Sequence, residues 1–127
     1  MKRDMDLVRT LLIKIADDPQ FNGIGNPTLD PLDYVTEAAS YADVDYHLRQ
    51  LLDADMLNGE PMMSPGFIIR NVTWSGHDFL DTVRDPEIWA RTKKGAAAAG
   101  GFTIDLLKDL AKGLVRKQIE DRTGVKL

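Results

Sequence analysis

The residues able to do chemistry are few. His47 and His77 are the sole imidazoles and cysteine is absent. Thiol nucleophiles, disulfides, iron–sulfur clusters, thiolate zinc sites and three-histidine metal sites are therefore excluded. A metal set would need His47, His77 and a carboxylate such as Asp43 or Asp78 to converge. Each histidine lies at the edge of a helical apolar stripe, so the plainer expectation is a boundary histidine with one hydrogen bond that ties helices together. No serine sits in a nucleophile-elbow sequence, and no glycine run matches a phosphate loop. Asp17-Asp18 and the Asp53/Asp55 pair fall at helix ends, where solvated carboxylates are expected. No catalytic residue, cofactor or metal is assigned, and a non-enzymatic protein is expected.

What remains is surface chemistry. Residues 1–83 carry 6 Lys+Arg against 14 Asp+Glu, a net -8, while residues 84–127 carry 10 against 6, a net +4. Such a split marks either different partners for the two parts or a basic tail packed on an acidic front. The 127 residues suit one core of ordinary size. No apolar run approaches the roughly 18 residues that span a bilayer, and no membrane partner is expected. The charged start, Met1 to Asp6, lacks a signal-peptide apolar region. A cytoplasmic protein is the expectation.

The elements that must position these groups follow from periodicity and breakers. Met5, Val8, Leu12 and Ile15, with Leu11 alongside, predict a first helix that Asp17-Asp18-Pro19 ends. Residues 19–33 read as a breaker-rich loop and residues 32–35 as a short extended stretch. A second helix opens at Ser40 or Tyr41, reaches Asp53 or Ala54, and buries Val44, Leu48, Leu51 and Leu52. Residues 57–62 and 67–72 read as strands joined by Met63-Ser64-Pro65-Gly66. Thr73 caps a third helix that buries Gly76, Phe79, Leu80 and Val83. Asp85-Pro86-Glu87 starts a fourth that runs to about Lys94. Residues 95–102 read as a small-residue linker, although its four alanines are also compatible with continued helix. Thr103 caps a last helix, where Phe102 and Leu107 can form a staple. Its apolar face holds Leu107, Leu110, Ala111, Leu114 and Val115.

The stretch Val44-Asp45-Tyr46-His47-Leu48-Arg49-Gln50-Leu51-Leu52-Asp53-Ala54-Asp55-Met56-Leu57 resembles the recognition helix and its exit in small bacterial winged-helix repressors. The opening nine residues, the Tyr46-His47-Leu48 triplet, and Leu80-Asp81 before Arg84-Asp85 resemble a domain-of-unknown-function family. It comprises small winged-helix proteins carried mainly by phages, prophages and mobile elements. The family word Thr-Trp-x-Gly-His-x-Phe-Leu matches residues 73–80. The resemblance covers nearly the whole chain and implies a fold and a genomic setting, with no established activity. One departure stands out. Asp55 occupies a position where the family has glycine, at a helix exit that calls for a left-handed conformation.

The expected fold is thus α+β and mostly helical: a winged helix-turn-helix core with a two-stranded wing and added C-terminal helices. Residues 1–94 form the winged-helix domain, 95–102 the linker, and 103–127 a basic amphipathic helix on the core or on a second subunit. The outward face of the recognition helix would show Asp43, Tyr46, Arg49, Gln50 and Asp53. From residue 40 to 56 there is one arginine against four aspartates, a net -3, and residues 60–66 hold no Lys or Arg. Duplex DNA carries a charge about every 1.7 Å, so groove reading through this face is disfavoured. A protein partner is expected instead, met by Tyr46, Arg49 and Gln50 with Met62 and Met63 of the wing. Lys108, Lys112, Arg116 and Lys117 form a basic strip on the last helix, either paired with Asp105 and Asp109 or available for acidic groups. Gly113 and the uncovered apolar face point to a homodimer through residues 103–120. The functional expectation is a regulator or adaptor, with a DNA-binding dimer and an inhibitor of a host defence system as alternatives.

Overall fold

The computed structural model describes residues 1–126. The chain is α+β and mostly helical, and it gathers into two compact units that part after His77.

In the first unit, α1 spans Met5–Asp17. Asp4 caps it, accepting the N–H of Asp6 at 3.0 Å and of Leu7 at 3.3 Å. Two residues, Thr28–Leu29, form β1. Residues Pro31–Tyr34 form a 3-10 turn rather than the extended stretch expected at 32–35. The reason is local: Asp30 accepts the N–H of Leu32 at 3.0 Å, and Pro31 sets the helical φ at the first position. Helix α2 spans Tyr41–Asp53 behind a capping box in which Ser40 and Asp43 satisfy each other's backbone N–H. A hairpin follows as β2, Leu57–Pro61, and β3, Phe67–Val72.

The sheet is three-stranded and antiparallel in the order β1-β3-β2, so the hairpin gains a strand from the loop before α2. Thr28 pairs with Ile68 and Leu29 with Phe67, and Leu57 pairs with Val72 down to Pro61 with Phe67. Helix α1 lies against α2 and β3, and α2 lies against β2. Leu11, Leu12, Ile15, Val44, Leu48, Phe67 and Ile69 are sealed between them. Leu52, expected on the buried stripe, is half-exposed, and His47 takes the interior position instead.

Helix α3 spans Trp74–Val83 and opens where the first unit ends. In the second unit, Phe79 meets Trp89 edge to face, with ring centroids 6.3 Å apart. Helix α4 spans Pro86–Ala99, capped by Asp85, which accepts from Glu87 and Ile88. It corrects the linker expected at 95–102. The alanines continue the helix, and Gly100, at φ 83°, is the left-handed cap that stops it. Residues 78–94 accordingly gather with the tail rather than with residues 1–77. Helix α5 spans Ile104–Thr123 behind the Thr103 cap and packs on α4. A Cβ on Gly95 would stand 3.6 Å from Leu110, ordinary contact distance. Leu107 and Ala111 are buried, whereas Leu110, Leu114 and Val115 are half-exposed. Among the described residues no helix is long and apolar enough to cross a membrane.

Candidate functional site

The exit of α2, the base of the β2–β3 hairpin and the start of α3 meet at one corner, and its geometry is set by backbone. Asp55 follows α2 with φ 60°, the one non-glycine left-handed residue among those described. The N–H of Met56 donates to the Leu51 carbonyl at 2.9 Å, and that of Asp55 to Leu52 at 3.0 Å, the paired bonds of a Schellman motif. The Asp55 carbonyl accepts from Thr73 Oγ1 at 2.6 Å and from Ser75 Oγ at 3.1 Å. Thr73 Oγ1 in turn accepts the N–H of Gly76 at 3.2 Å. A Cβ on Gly76 would run into the Met56 carbonyl oxygen and Val72 Cγ1, so glycine alone allows this approach. The run from Thr73 to Gly76 is therefore in large part a latch.

His47 belongs to the same scaffold. It is 1% exposed. Its Nε2 accepts the Asp4 N–H at 2.7 Å, and its Nδ1 donates to the Asp43 carbonyl at 2.7 Å. The single bond expected of a boundary histidine is two bonds, and they join the start of α1 to α2. Both ring nitrogens are engaged by backbone, which leaves no lone pair for a metal. His77 is exposed. Among the described residues no three metal-binding side chains gather.

The surface residues divide. Arg49 is a surface residue whose Nε donates to Asp45 Oδ2 at 2.9 Å, while its guanidinium stands 5.3 Å from the Phe67 ring centroid. Its charge is thus partly spent on the chain itself. Tyr46 and Gln50 are half-buried, and Tyr46 packs its ring against His47 at 5.4 Å. Arg49, Leu52, Asp53 and Pro61 line an open recess of about 200 Å³ between α2 and β2. On the wing, Met62 is half-buried and Met63 is fully exposed. Arg70 makes a two-pronged bond to Glu60 across the wing, at 3.2 and 3.1 Å, which holds the Glu60 carboxyl below its ordinary range. Asp43 is likewise held low, first by the Ser40 N–H and then by the Ser40 hydroxyl. On α5, Lys112, Arg116 and Lys117 are exposed and Lys108 is half-buried. Among the described residues no ion pair joins these cations to Asp105 or Asp109.

Sequence reasoning missed Trp74, which is 84% exposed at the first position of α3. The available signal was its place outside the Gly76, Phe79, Leu80, Val83 stripe. Ile24 and Leu32 are exposed as well. Met63 sits at the wing tip and Trp74 just past the wing base, so they mark opposite ends of the hairpin.

Comparison with known proteins gives a relative and a family. The chain is 26% identical over 123 residues to an "Uncharacterized protein" of Haemophilus influenzae (strain ATCC 51907 / DSM 11121 / KW20 / Rd), covering 94% of this chain and 99% of that one. No solved structure matches. The family described as "Hypothetical protein (DUF2513)" has a model that matches residues 2–102, and the chain belongs to that family.

Proposed function

We propose that the chain is a non-enzymatic winged-helix regulator or adaptor of phage or mobile-element origin, working in the cytoplasm by protein–protein binding. The winged-helix reading is supported by the order α1, β1, 3-10 turn, α2, β2, β3, with α2 placed directly before the hairpin. The observation that carries protein over DNA is the outer side of α2. Residues 40–56, which are α2 with its cap and exit, bear a net -3, and their one arginine is bonded to Asp45. Phosphates must be held by free cations before bases are read. A fully exposed Met63 on a wing with no tip cation suits an apolar protein contact instead.

A photo-crosslinking amino acid at position 63, used in the native host and read by mass spectrometry, tests this. A discrete crosslinked protein is the expected result. Selection from random DNA at physiological salt is expected to yield only non-specific affinity, about 10⁻⁴–10⁻⁶ M. A defined operator bound at nanomolar strength would overturn the reading. It would favour the second one, a DNA-binding dimer, for which the exposed Lys112, Arg116 and Lys117 of α5 are the supporting observation.

A further inference from the structure

Trp74 leaves most of a large apolar ring in water, and its backbone has little freedom. Thr73 and Ser75, on either side of it, both bond the Asp55 carbonyl, and Gly76 is wedged against Met56. The residue is a rigid knob. The exposed carboxylate-bearing residues Asp53 and Asp55 border the same corner. Tryptophan presented in this way is the side chain most enriched at interface hot spots.

The second unit carries a matching recess. Asp81, Thr82, Lys112, Val115, Arg116 and Ile119 line an open dent of about 220 Å³ between α3 and α5. Val115 and Ile119 supply apolar surface for an indole. Lys112 and Arg116 supply cations that favour an aromatic face and attract nearby carboxylates. Asp81 can accept the indole N–H, which a buried tryptophan needs satisfied. Residues 1–77 carry a net -6 and residues 78–127 a net +2, so the charges complement each other as the side-chain types do.

We propose that Trp74 of one copy seats in the Val115/Ile119 dent of a second copy, and the reverse, giving a homodimer. A second copy is the one occupant that brings a complement to both uncovered surfaces at once. Two reciprocal contacts also close into the commonest oligomer symmetry. The proposal does not depend on the protein-partner reading, since a winged-helix adaptor can be monomeric and a dimer can bind DNA.

Sedimentation of the full chain tests it. The chain is expected to dimerise at micromolar concentration. Trp74→Ala should weaken association at least roughly tenfold, as hot-spot truncation does, with an unchanged melting temperature at concentrations where the parent is monomeric. The decisive experiment is a charge exchange. Asp53→Lys with Asp55→Gly, and separately Lys112→Glu with Arg116→Glu, should each be monomeric alone, and an equimolar mixture should dimerise. If the double α5 variant fails to fold, Arg116→Glu alone replaces it. Three results would overturn the proposal: a full chain monomeric at high micromolar concentration, Trp74→Ala associating like the parent, or a mixture that stays monomeric. A dimer that survives Trp74→Ala but is lost in Leu114→Glu would place the contact on α5 alone and would likewise refute it.

Discussion

Asp55 offers a test in which one position separates two energies. Its φ of 60° puts a side chain in the left-handed region at the end of α2. That conformation costs an L-residue roughly 1–2 kcal/mol, with aspartate at the low end because its short polar side chain tolerates it. Glycine removes the cost but loses roughly 0.5–1 kcal/mol in chain entropy on folding. The backbone change alone therefore gains about 0.5 kcal/mol. Asp55 also sets a negative charge at the negative end of the α2 dipole, where its removal gains about 0.3–1 kcal/mol. Asp55→Asn isolates the charge effect, Asp55→Gly adds the backbone effect, and Asp55→Ala trades the charge gain against a costlier left-handed Cβ. The expected stability order is Gly, then Asn, then Ala, with Gly about 1 kcal/mol above the parent. Urea denaturation followed by far-ultraviolet circular dichroism reads this, supported by hydrogen exchange of the α2 amides. With an m-value of about 2 kcal/mol/M, the midpoint should rise by about 0.5 M. Added salt should shrink the Asn gain and leave the Gly-to-Ala gap in place. An alanine variant as stable as the glycine variant would refute the claim that the helix exit is strained.

Two further outcomes follow from the core and the caps. Leu48 is fully buried, so Leu48→Ala should cost about 2–5 kcal/mol in denaturant titration; a midpoint within error of the parent would refute its assignment to the core. Ser40→Ala removes the hydroxyl half of the capping box and should cost about 1 kcal/mol. It should also flatten the acid limb of stability. Because Asp43 is held low in the folded state, its contribution is full above the ordinary carboxylate value and is lost as pH falls through the folded one. An acid limb as steep in Ser40→Ala as in the parent would show that the Ser40 hydroxyl adds nothing to the hold of the Ser40 N–H on Asp43.

The helices were legible because each carries its own punctuation. Asp4 stands near the start of α1, Ser40, Thr73, Asp85 and Thr103 before the starts of the later helices, and the apolar stripes fall at helical spacing. The hairpin was legible from Pro65-Gly66 between two apolar runs. Strand β1 was not, because two residues have no period; the pairing that creates it comes from β3, some forty residues on. The end of α4 was misplaced because alanines continue a helix as readily as they fill a linker, and only Gly100 stops them. His47 was read as a boundary residue because the helical wheel places it at the edge of the apolar stripe. Its interior position depends on the Asp4 N–H, a backbone donor that no side-chain pattern reveals. At the candidate surface, Met63, Lys112, Arg116 and Lys117 are exposed as the pattern implied, while Arg49 was taken as available when Asp45 and Phe67 already hold it.

The corner at Asp55 joins the fold to its surface. One carbonyl receives hydroxyl bonds from both residues that flank Trp74, and the next carbonyl, that of Met56, receives the N–H of Thr73 at 3.1 Å. The end of α2, the base of the wing and the first turn of α3 are thus fixed to one another through main-chain atoms. Such bonds leave the side chains of Asp53, Asp55 and Trp74 to face outward at no cost to the latch. Fold and surface are written in alternating residues of one short word. Thr73 and Gly76 hold the backbone, while Trp74 and His77 are turned to solvent. A partner gripping Trp74 therefore meets a preorganised main chain, and little backbone entropy is left to lose on binding.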